Sequence, residues 1–314
     1  MPEFLTRDPA FLDTLRIAER AAGSSASVLI VGETGTGKNR MARFLHARGP
    51  RAAEPFVEVA CANIPPELFE SELFGHEPGA FTDAKTTRIG RLEQAHRGTL
   101  YLDDLQELDV LSQPKLLRAI EERRFERIGG AATIEVDLRI VASARERPAR
   151  LVASGRLRED LLYRLDVIRI ELPPLRARAA DIPLLAEELL RETKERHDLH
   201  PRRFGPDALA RLRSYPWPGN VRELRHVVES AAILSAEAEI GTSDLPESLS
   251  VASPSILREA AARGTTLAEL ERAYIAEVLL RVRGNKSAAA RILGIHRKTL
   301  HEKLRETDGP KSAE

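Results

Sequence analysis

Gly32-Glu33-Thr34-Gly35-Thr36-Gly37-Lys38-Asn39 follows the apolar run Val28-Leu29-Ile30-Val31 and opens a helical pattern through Met41 and Leu45. A strand, a glycine-rich turn ending in lysine, and a helix form the pattern of a phosphate-binding loop. The glycines let the backbone wrap a phosphate chain, amide N–H groups turn inward, and the helix N-terminus favours negative charge. Gly32, Glu33, Thr34, Gly35, Thr36, Gly37, Lys38 and Asn39 are the cofactor-binding residues expected here, with Lys38 as the charge on the β- and γ-phosphates. A glycine-rich turn with no ligand is the competing reading. The combination of strand, spacing and lysine weighs against it.

The flanking sequence alternates in the same way. Phe56–Val59, Thr99–Leu102, Leu138–Ala142 and Val167–Ile170 read as further short strands separated by helical patterns. One such helix starts at Ser112, read as its N-cap, with Pro114 in the first turn. Strands alternating with helices predict an α/β domain with a parallel sheet covered on both faces. The strand of residues 99–102 runs into Asp103-Asp104. Alone, such a pair is a solvated turn; paired with the phosphate loop, Asp103 reads as the Mg²⁺ ligand and Asp104 as the base that polarises an attacking water.

Strand signals stop after Pro173-Pro174, and the segment from Asp181 to about Ala238 reads as all-helical, broken near Pro201 and at Pro216-Trp217-Pro218-Gly219. The expected organisation is an α/β subdomain over 1–172, a helical subdomain over 173–240, a linker over 241–264 and an all-α unit over 265–314. In that last unit Gly294 marks a turn between two short helices, with Ser287 read as the cap of the first. Ile295, Leu300 and Leu304 face inward, which leaves Lys286, Arg297, Lys298, Thr299, His301 and Lys303 outward for a major groove and its phosphates. The upstream helix from Leu267 to Leu280 is amphipathic, a plausible dimer element. A basic helical hairpin that binds nothing is the alternative.

The chain has 314 residues, with 42% hydrophobic and 31% charged, a composition that excludes disorder throughout and exceeds what one compact core usually holds. One cysteine, Cys61, excludes an intramolecular disulfide and a Cys-based zinc site. No apolar run approaches bilayer length and the N-terminus lacks a signal pattern, so a cytoplasmic location with no membrane partner is expected. Lys+Arg and Asp+Glu are each 48, a net charge of zero that argues against nucleic acid only if charge is evenly spread. Between Arg281 and Arg305 there are eight basic residues against Glu302 alone, or +7, which leaves 40 basic and 47 acidic residues, or −7, elsewhere. A basic end on an acidic body points to a nucleic-acid-facing end, with a solvated helical face as the equal alternative on charge alone; with the helix pattern above, the partner expected is double-stranded DNA.

With these motifs in place, the chain resembles the sigma-54-dependent transcriptional activators, bacterial enhancer-binding proteins of the AAA+ class, over residues from about 8 to 306. The most specific marker is Glu72-Leu73-Phe74-Gly75-His76-Glu77-Pro78-Gly79-Ala80-Phe81-Thr82-Asp83-Ala84, similar to the family's GAFTGA loop. The resemblance implies that Gly79, Ala80, Phe81, Thr82, Asp83 and Ala84 contact sigma-54. It further implies that Arg158 and Arg164 are arginine fingers reaching a neighbouring subunit's nucleotide. Arg222, in Trp217-Pro218-Gly219-Asn220-Val221-Arg222, would touch phosphate from the helical lid. The C-terminal unit becomes a Fis-type helix-turn-helix. ATP and Mg²⁺, sigma-54 RNA polymerase, and a homo-oligomer from dimer to hexameric or heptameric ring follow as expected cofactors and partners.

The chain departs from the family where the chemistry lies. Asn39 stands for Glu after the lysine, and Asp104 replaces the Glu of the Asp-Glu pair. One methylene fewer holds that carboxylate about 1.5 Å short of the water. Ala60 occupies the position of the asparagine that restrains this glutamate. Arg145 stands at or near the sensor I asparagine, and Asp83 replaces a glycine in the sigma-contacting loop. The first reading is an ATP-hydrolysing activator that remodels sigma-54 RNA polymerase. The alternative is a regulator in which ATP binding drives assembly while hydrolysis and sigma-54 contact are weak or lost. A small-molecule kinase is disfavoured, since it leaves the DNA unit unexplained. With no receiver or ligand-sensing domain ahead of Phe4, control by phosphorylation of an attached domain is not expected.

Overall fold

The computed structural model describes residues 4–82, 84–197, 203–249, 264–282, 285–296, 298–300 and 303–304. Five parallel strands form the central sheet: β1 Val28–Val31, β2 Phe56–Ala60, β3 Thr99–Asp103, β4 Arg139–Ala144 and β5 Ile168–Glu171, in the order β2-β3-β4-β1-β5. Each coincides within two residues with a strand read from the sequence.

Alternation along the strands explains why they run as continuous apolar stretches. Val28, Ile30, Tyr101, Val141 and Ile170 face one core with Phe11, Met41 and Leu45 from α1 (Pro9–Ala22) and α2 (Lys38–Ala47). Leu29, Val31, Leu100, Leu102, Ile140 and Ala142 face a second core. That core holds Leu73 of α3 (Pro66–Phe74), Leu116 of α4 (Gln113–Glu122) and Leu161 of α5 (Glu159–Leu165). The inner strands β1, β3 and β4 are buried on both faces, so apolar residues fill most of their positions, while the edge strands β2 and β5 carry the half-buried Glu58 and the exposed Arg169 and Glu171. Ser112 precedes α4 but makes no side-chain cap. Its hydroxyl instead donates to Asp109 Oδ2 at 2.9 Å, which leaves Pro114 in the first turn as the main starting device.

The lid consists of α6 (Ile182–His197), α7 (Pro206–Ser214) and α8 (Asn220–Leu234) around Leu190, Trp217, Leu224 and Val228. Among the described residues, a two-residue parallel pairing, Arg203–Phe204 with Glu239–Ile240, departs from an all-helical reading. Leu245 and Leu249, in the stretch expected as linker, are buried in this core. Residues 250–263 lie outside the described residues.

The described residues from Gly264 onward belong to a second compact unit. Here Ile275 and Val278 of α9 (Leu267–Arg281) pack with Ala289 and Ala290 of α10 (Lys286–Leu293) and with Leu300. The expected Ser287 cap is corrected: Asn285 Oδ1 accepts from the Ser287 backbone N–H at 3.1 Å, so the cap is Asn285 and Ser287 sits inside the helix. Gly294 has φ +67° at the turn, a conformation glycine adopts without strain. Among the described residues, no helix is long and apolar enough to cross a membrane.

Candidate functional site

The loop lies at the carboxyl end of β1, where β4 and β5 flank it and where open α/β sheets bind ligands. Gly32 donates its N–H to Ala144 at the end of β4 (3.1 Å), and a Cβ there would meet Thr36 Oγ1 at 2.9 Å. Gly35 (φ +81°) and Gly37 (φ +105°) turn the chain into α2. Lys38 is 8% exposed and its Nζ donates to Gly32 O at 3.1 Å. Burial pulls its ammonium below the usual lysine range, opposed by Asp104 and Asp103.

Asn39 departs from its expected place. Its amide donates to Glu58, while its Oδ1 accepts from Arg43 Nε at 2.9 Å. The side chain is therefore committed to a surface cluster of Asn39, Arg43 and Glu58, and only its backbone remains with the loop.

The lid sits directly on the loop. Asn220, fully buried, donates from Nδ2 to Thr34 O (2.9 Å) and accepts from Leu175 N–H at Oδ1 (2.7 Å). Val221 N–H donates to Gly35 O at 3.1 Å. Arg176 grips Glu33 through two bonds of 2.6 and 2.7 Å, which hold the Glu33 carboxyl below the usual glutamate range. Arg222 is exposed on α8, with its Cβ beside Gly35. Neither Asn220 nor Arg176 was among the residues expected, because their partners lie more than 140 positions away. Asn220 could have been suspected from its setting after Pro218-Gly219 at a helix start.

A cavity of about 180 Å³ opens beside the loop among Phe4, Thr36, Gly37, Arg178, Leu189 and Val221. Phe4 packs edge-on against Phe11 and Phe44 at 5.6 and 5.8 Å. Arg178 is 4% exposed, stacks on Phe11 and lies 3.8 Å from Asp181. A partly apolar recess at a phosphate loop suits a nucleobase. Phe4 and Arg178 belong to no motif, and only the fold brings them here.

Across from Lys38, Asp103 Oδ1 accepts from Tyr101 OH (2.6 Å) and Ser143 Oγ (2.5 Å). Asp104 stands at φ +61° with its N–H donating to Ser143 Oγ at 3.0 Å. Its Oδ2 accepts from Arg145 at 2.6 Å, and its Oδ1, buried without a hydrogen bond, is 3.7 Å from Lys38 Nζ. Burial pushes the Asp104 carboxyl up, but Arg145 and Lys38 together outweigh it and leave it below the usual aspartate range. No cluster of three metal-ligating side chains occurs among the described residues. The donor set fits Mg²⁺ held with phosphate oxygens and water, the usual arrangement for that ion.

Arg158 and Arg164 lie elsewhere on α5. Arg158, at its start, is bound by Asp160 at 2.7 Å. Arg164 lines a recess with Ser27 and Leu138, at the amino ends of β1 and β4. The loop is at the opposite end of β1, a strand of four residues or about 13 Å.

In the loop after α3, Gly79 (φ +84°) has open space around it and Phe81 is 41% exposed, edge-on to His76 at 4.9 Å. Gly79 N–H donates to Ala84 O at 2.8 Å, closing a short loop that contains Ala80 and Thr82. Asp83 lies outside the described residues. Ala80 packs on Gly129 of the hairpin joining Arg124–Glu126 to Thr133–Glu135, and Arg127 from that hairpin bridges Glu77 and Glu93 at 2.6 and 2.8 Å.

In the C-terminal unit Lys286, Ser287 and Lys298 are exposed and Thr299 is half-buried. Lys303 reaches Glu271 of α9 at 2.8 Å, so its charge is partly neutralised within the unit. Arg297 and His301 lie outside the described residues.

Three family descriptions match consecutive stretches: the Sigma-54 interaction domain over residues 4–171, the AAA+ ATPase lid domain over 176–262, and the bacterial regulatory protein, Fis family, over 266–306. The transcriptional regulatory protein FlbD of Caulobacter vibrioides is 43% identical, with 96% of this chain and 70% of FlbD covered. The regulatory protein AtoC of Escherichia coli is 44% identical over 96% of this chain and 67% of AtoC. Among solved structures, NtrX of Brucella abortus in complex with ATP superposes with a TM-score of 0.72 at 36% identity, covering 97% of this chain and 69% of NtrX. The sheet order, the lid seated on the loop and the C-terminal helix-turn-helix thus have one explanation: the chain belongs to the sigma-54-dependent, DNA-binding transcriptional activators of the AAA+ class.

Proposed function

We propose that the cradle formed by residues 32–38, the lid and the Phe4–Arg178 recess binds ATP with Mg²⁺, and that hydrolysis in an oligomeric ring drives the activator's work on sigma-54 RNA polymerase. The convergence of Lys38, Asp103 and Asp104 beneath a lid-clamped loop is the observation that carries this reading. NtrX, solved with ATP and with ADP, supports the choice of nucleotide. Asp103 is the carboxylate to hold Mg²⁺, which when bound neutralises phosphate charge. Asp104 orients water and accepts its proton, Lys38 binds phosphate, and Arg222 approaches phosphate from α8.

Arg164 sits too far from its own loop to serve it. Arg158 and Arg164 therefore act on a neighbour's nucleotide in a head-to-tail ring, hexameric or heptameric. Turnover is slow, because Asp104 is one methylene short of the family's glutamate and is already engaged by Arg145. ATP turnover by the purified chain is expected to exceed that of a Lys38→Ala control. Equal rates would remove hydrolysis and leave ATP as an assembly ligand.

The loop over residues 79–84 offers Phe81 to sigma-54, with Arg127 bracing its base. DNA is read by the segment that follows the Gly294 turn, which carries Arg297 and Lys298. Arg297→Ala is expected to weaken specific binding by about 1–3 kcal/mol at fixed salt. An unchanged dissociation constant would place base reading elsewhere.

A further inference from the structure

The recess beside the phosphate loop has a direction. Val221 N–H donates to Gly35 O at 3.1 Å, so the first turn of α8 rests on the loop itself. Arg225 follows one helical turn later, about 6 Å farther from the loop, and lines the same recess. From the facing helix, Leu185, Leu189 and Glu192 of α6 line it at spacings of four and three, which put them on one face. The two helices leave the loop side by side: Glu192 Oε2 accepts from Arg225 Nη1 at 2.7 Å, and farther along Arg196 reaches Glu229 at 3.2 Å. The recess therefore runs from the loop between apolar walls to an acid–base pair. Other polar side chains of the wall are engaged: Glu188 holds Arg191, Thr36 donates to Glu33 O, Arg40 lies over the Phe4 ring, and Arg178 stacks on Phe11. Glu192 and Arg225 are 31% and 34% exposed. Their mutual bond leaves one carboxylate oxygen and further guanidinium N–H groups for a ligand.

We propose that Glu192 and Arg225 are the specificity-determining pair for the base, with Glu192 accepting from the 6-amino group of adenine and Arg225 donating to its N1. This rests on the reading of the cradle as an ATP site. With the phosphates at Lys38, the base lies between α6 and α8, and its edge farthest from the sugar meets the far end of the recess. Adenine presents there a donor beside an acceptor, and the pair presents an acceptor beside a donor. Guanine carries the reverse order, O6 accepting and N1–H donating, which sets oxygen against carboxylate and N–H against guanidinium. The order is fixed because the two groups stand on different helices and hold each other. A purine without the amino group leaves Glu192 desolvated and unanswered, and such sites reject the analogue that lacks their partner group.

The test is base selectivity in affinity, measured on the purified full chain with Mg²⁺. The β,γ-imido analogues of ATP, of GTP and of purine riboside triphosphate, which lacks the amino group, compete against a fluorescent ATP derivative. For the unaltered chain, the GTP and purine riboside compounds are expected to bind at least about tenfold more weakly than the ATP compound. Glu192→Met is expected to weaken the ATP compound about tenfold, while the purine riboside compound, with no amino group to lose, changes less than about twofold. Exchanging the residues, Glu192→Arg with Arg225→Glu, reverses the order of acceptor and donor and is expected to reverse the preference between ATP and GTP compounds. A Glu192→Met chain that loses the ATP and purine riboside compounds alike, or neither, would reduce the pair to a staple between α6 and α8. Equal binding of all three compounds by the unaltered chain, or an exchanged chain that still prefers ATP, would also overturn the base-reading role. Absence of triphosphate binding by the unaltered chain would instead overturn the ATP site itself. Thermal melts of each variant separate these results from loss of fold.

Discussion

Replacing Gly35 with alanine is expected to lower ATP affinity by at least about 100-fold. The residue stands at φ +81°, where a side chain already costs on the order of 1–2 kcal/mol. The larger effect is steric. A Cβ at this position would lie 2.1 Å from Gly219 O and 3.0 Å from Gly219 C, both backbone atoms that cannot rotate away. Either the loop shifts or the lid lifts. Both outcomes part Asn220 from Thr34 O and Val221 N–H from Gly35 O, the bonds that hold the loop in its phosphate-ready shape. Gly79→Ala is the matched control, because Gly79 has a similar φ of +84° but nothing within 4 Å of its would-be Cβ. Titration with a fluorescent ATP analogue should show the loss for Gly35→Ala and near-normal affinity for Gly79→Ala. Similar affinities for the two variants would mean that the lid contact does not shape the loop.

The second large effect is on stability. Trp217→Ala is expected to destabilise the folded chain by about 3–5 kcal/mol, the range for removing a large aromatic from a packed core. Trp217 is fully buried, packs edge-on to Tyr215 at 5.0 Å, and donates from Nε1 to Leu212 O at 2.8 Å. Its removal leaves a cavity at the lid's centre and strands a carbonyl at the end of α7. Trp217→Phe keeps most of the volume but not the donor, and a loss of about 1–2 kcal/mol is expected. Urea unfolding followed by circular dichroism measures both. A Trp217→Ala loss below about 1 kcal/mol would show that the lid core repacks around the gap.

The parallel sheet was legible because the strands are short segments rich in Val, Ile and Leu between helical patterns, and Val28–Val31 followed by glycines and lysine leaves few alternatives. The convergence of Lys38 and Asp104 at the strand ends was legible because they and Asp103 sit at positions that a motif defines. Residues that act by long-range contact were not. Arg176, Arg178 and Asn220 reach the loop only through the packing of the lid on the sheet, Phe4 only through the N-terminal segment packed on α1 and α2, and no local period marks any of them. Ser112 and Ser287 failed as caps because a neighbouring Asp109 and Asn285 offered better acceptors. Asn39 keeps only its backbone at the loop for a related reason: Glu58 of β2 accepts from its amide nitrogen, and Arg43 of its own helix donates to its amide oxygen.

The direct seating of Asn220 on the phosphate loop also makes the lid a thermodynamic gauge. Because a ligand in the loop favours the same bonds that dock α8, occupancy and heat resistance of the lid are two readings of one equilibrium. A ligand at a hundred times its dissociation constant raises folded-state stability by about 2.7 kcal/mol, and anything that loosens the lid must weaken that ligand by the reciprocal amount.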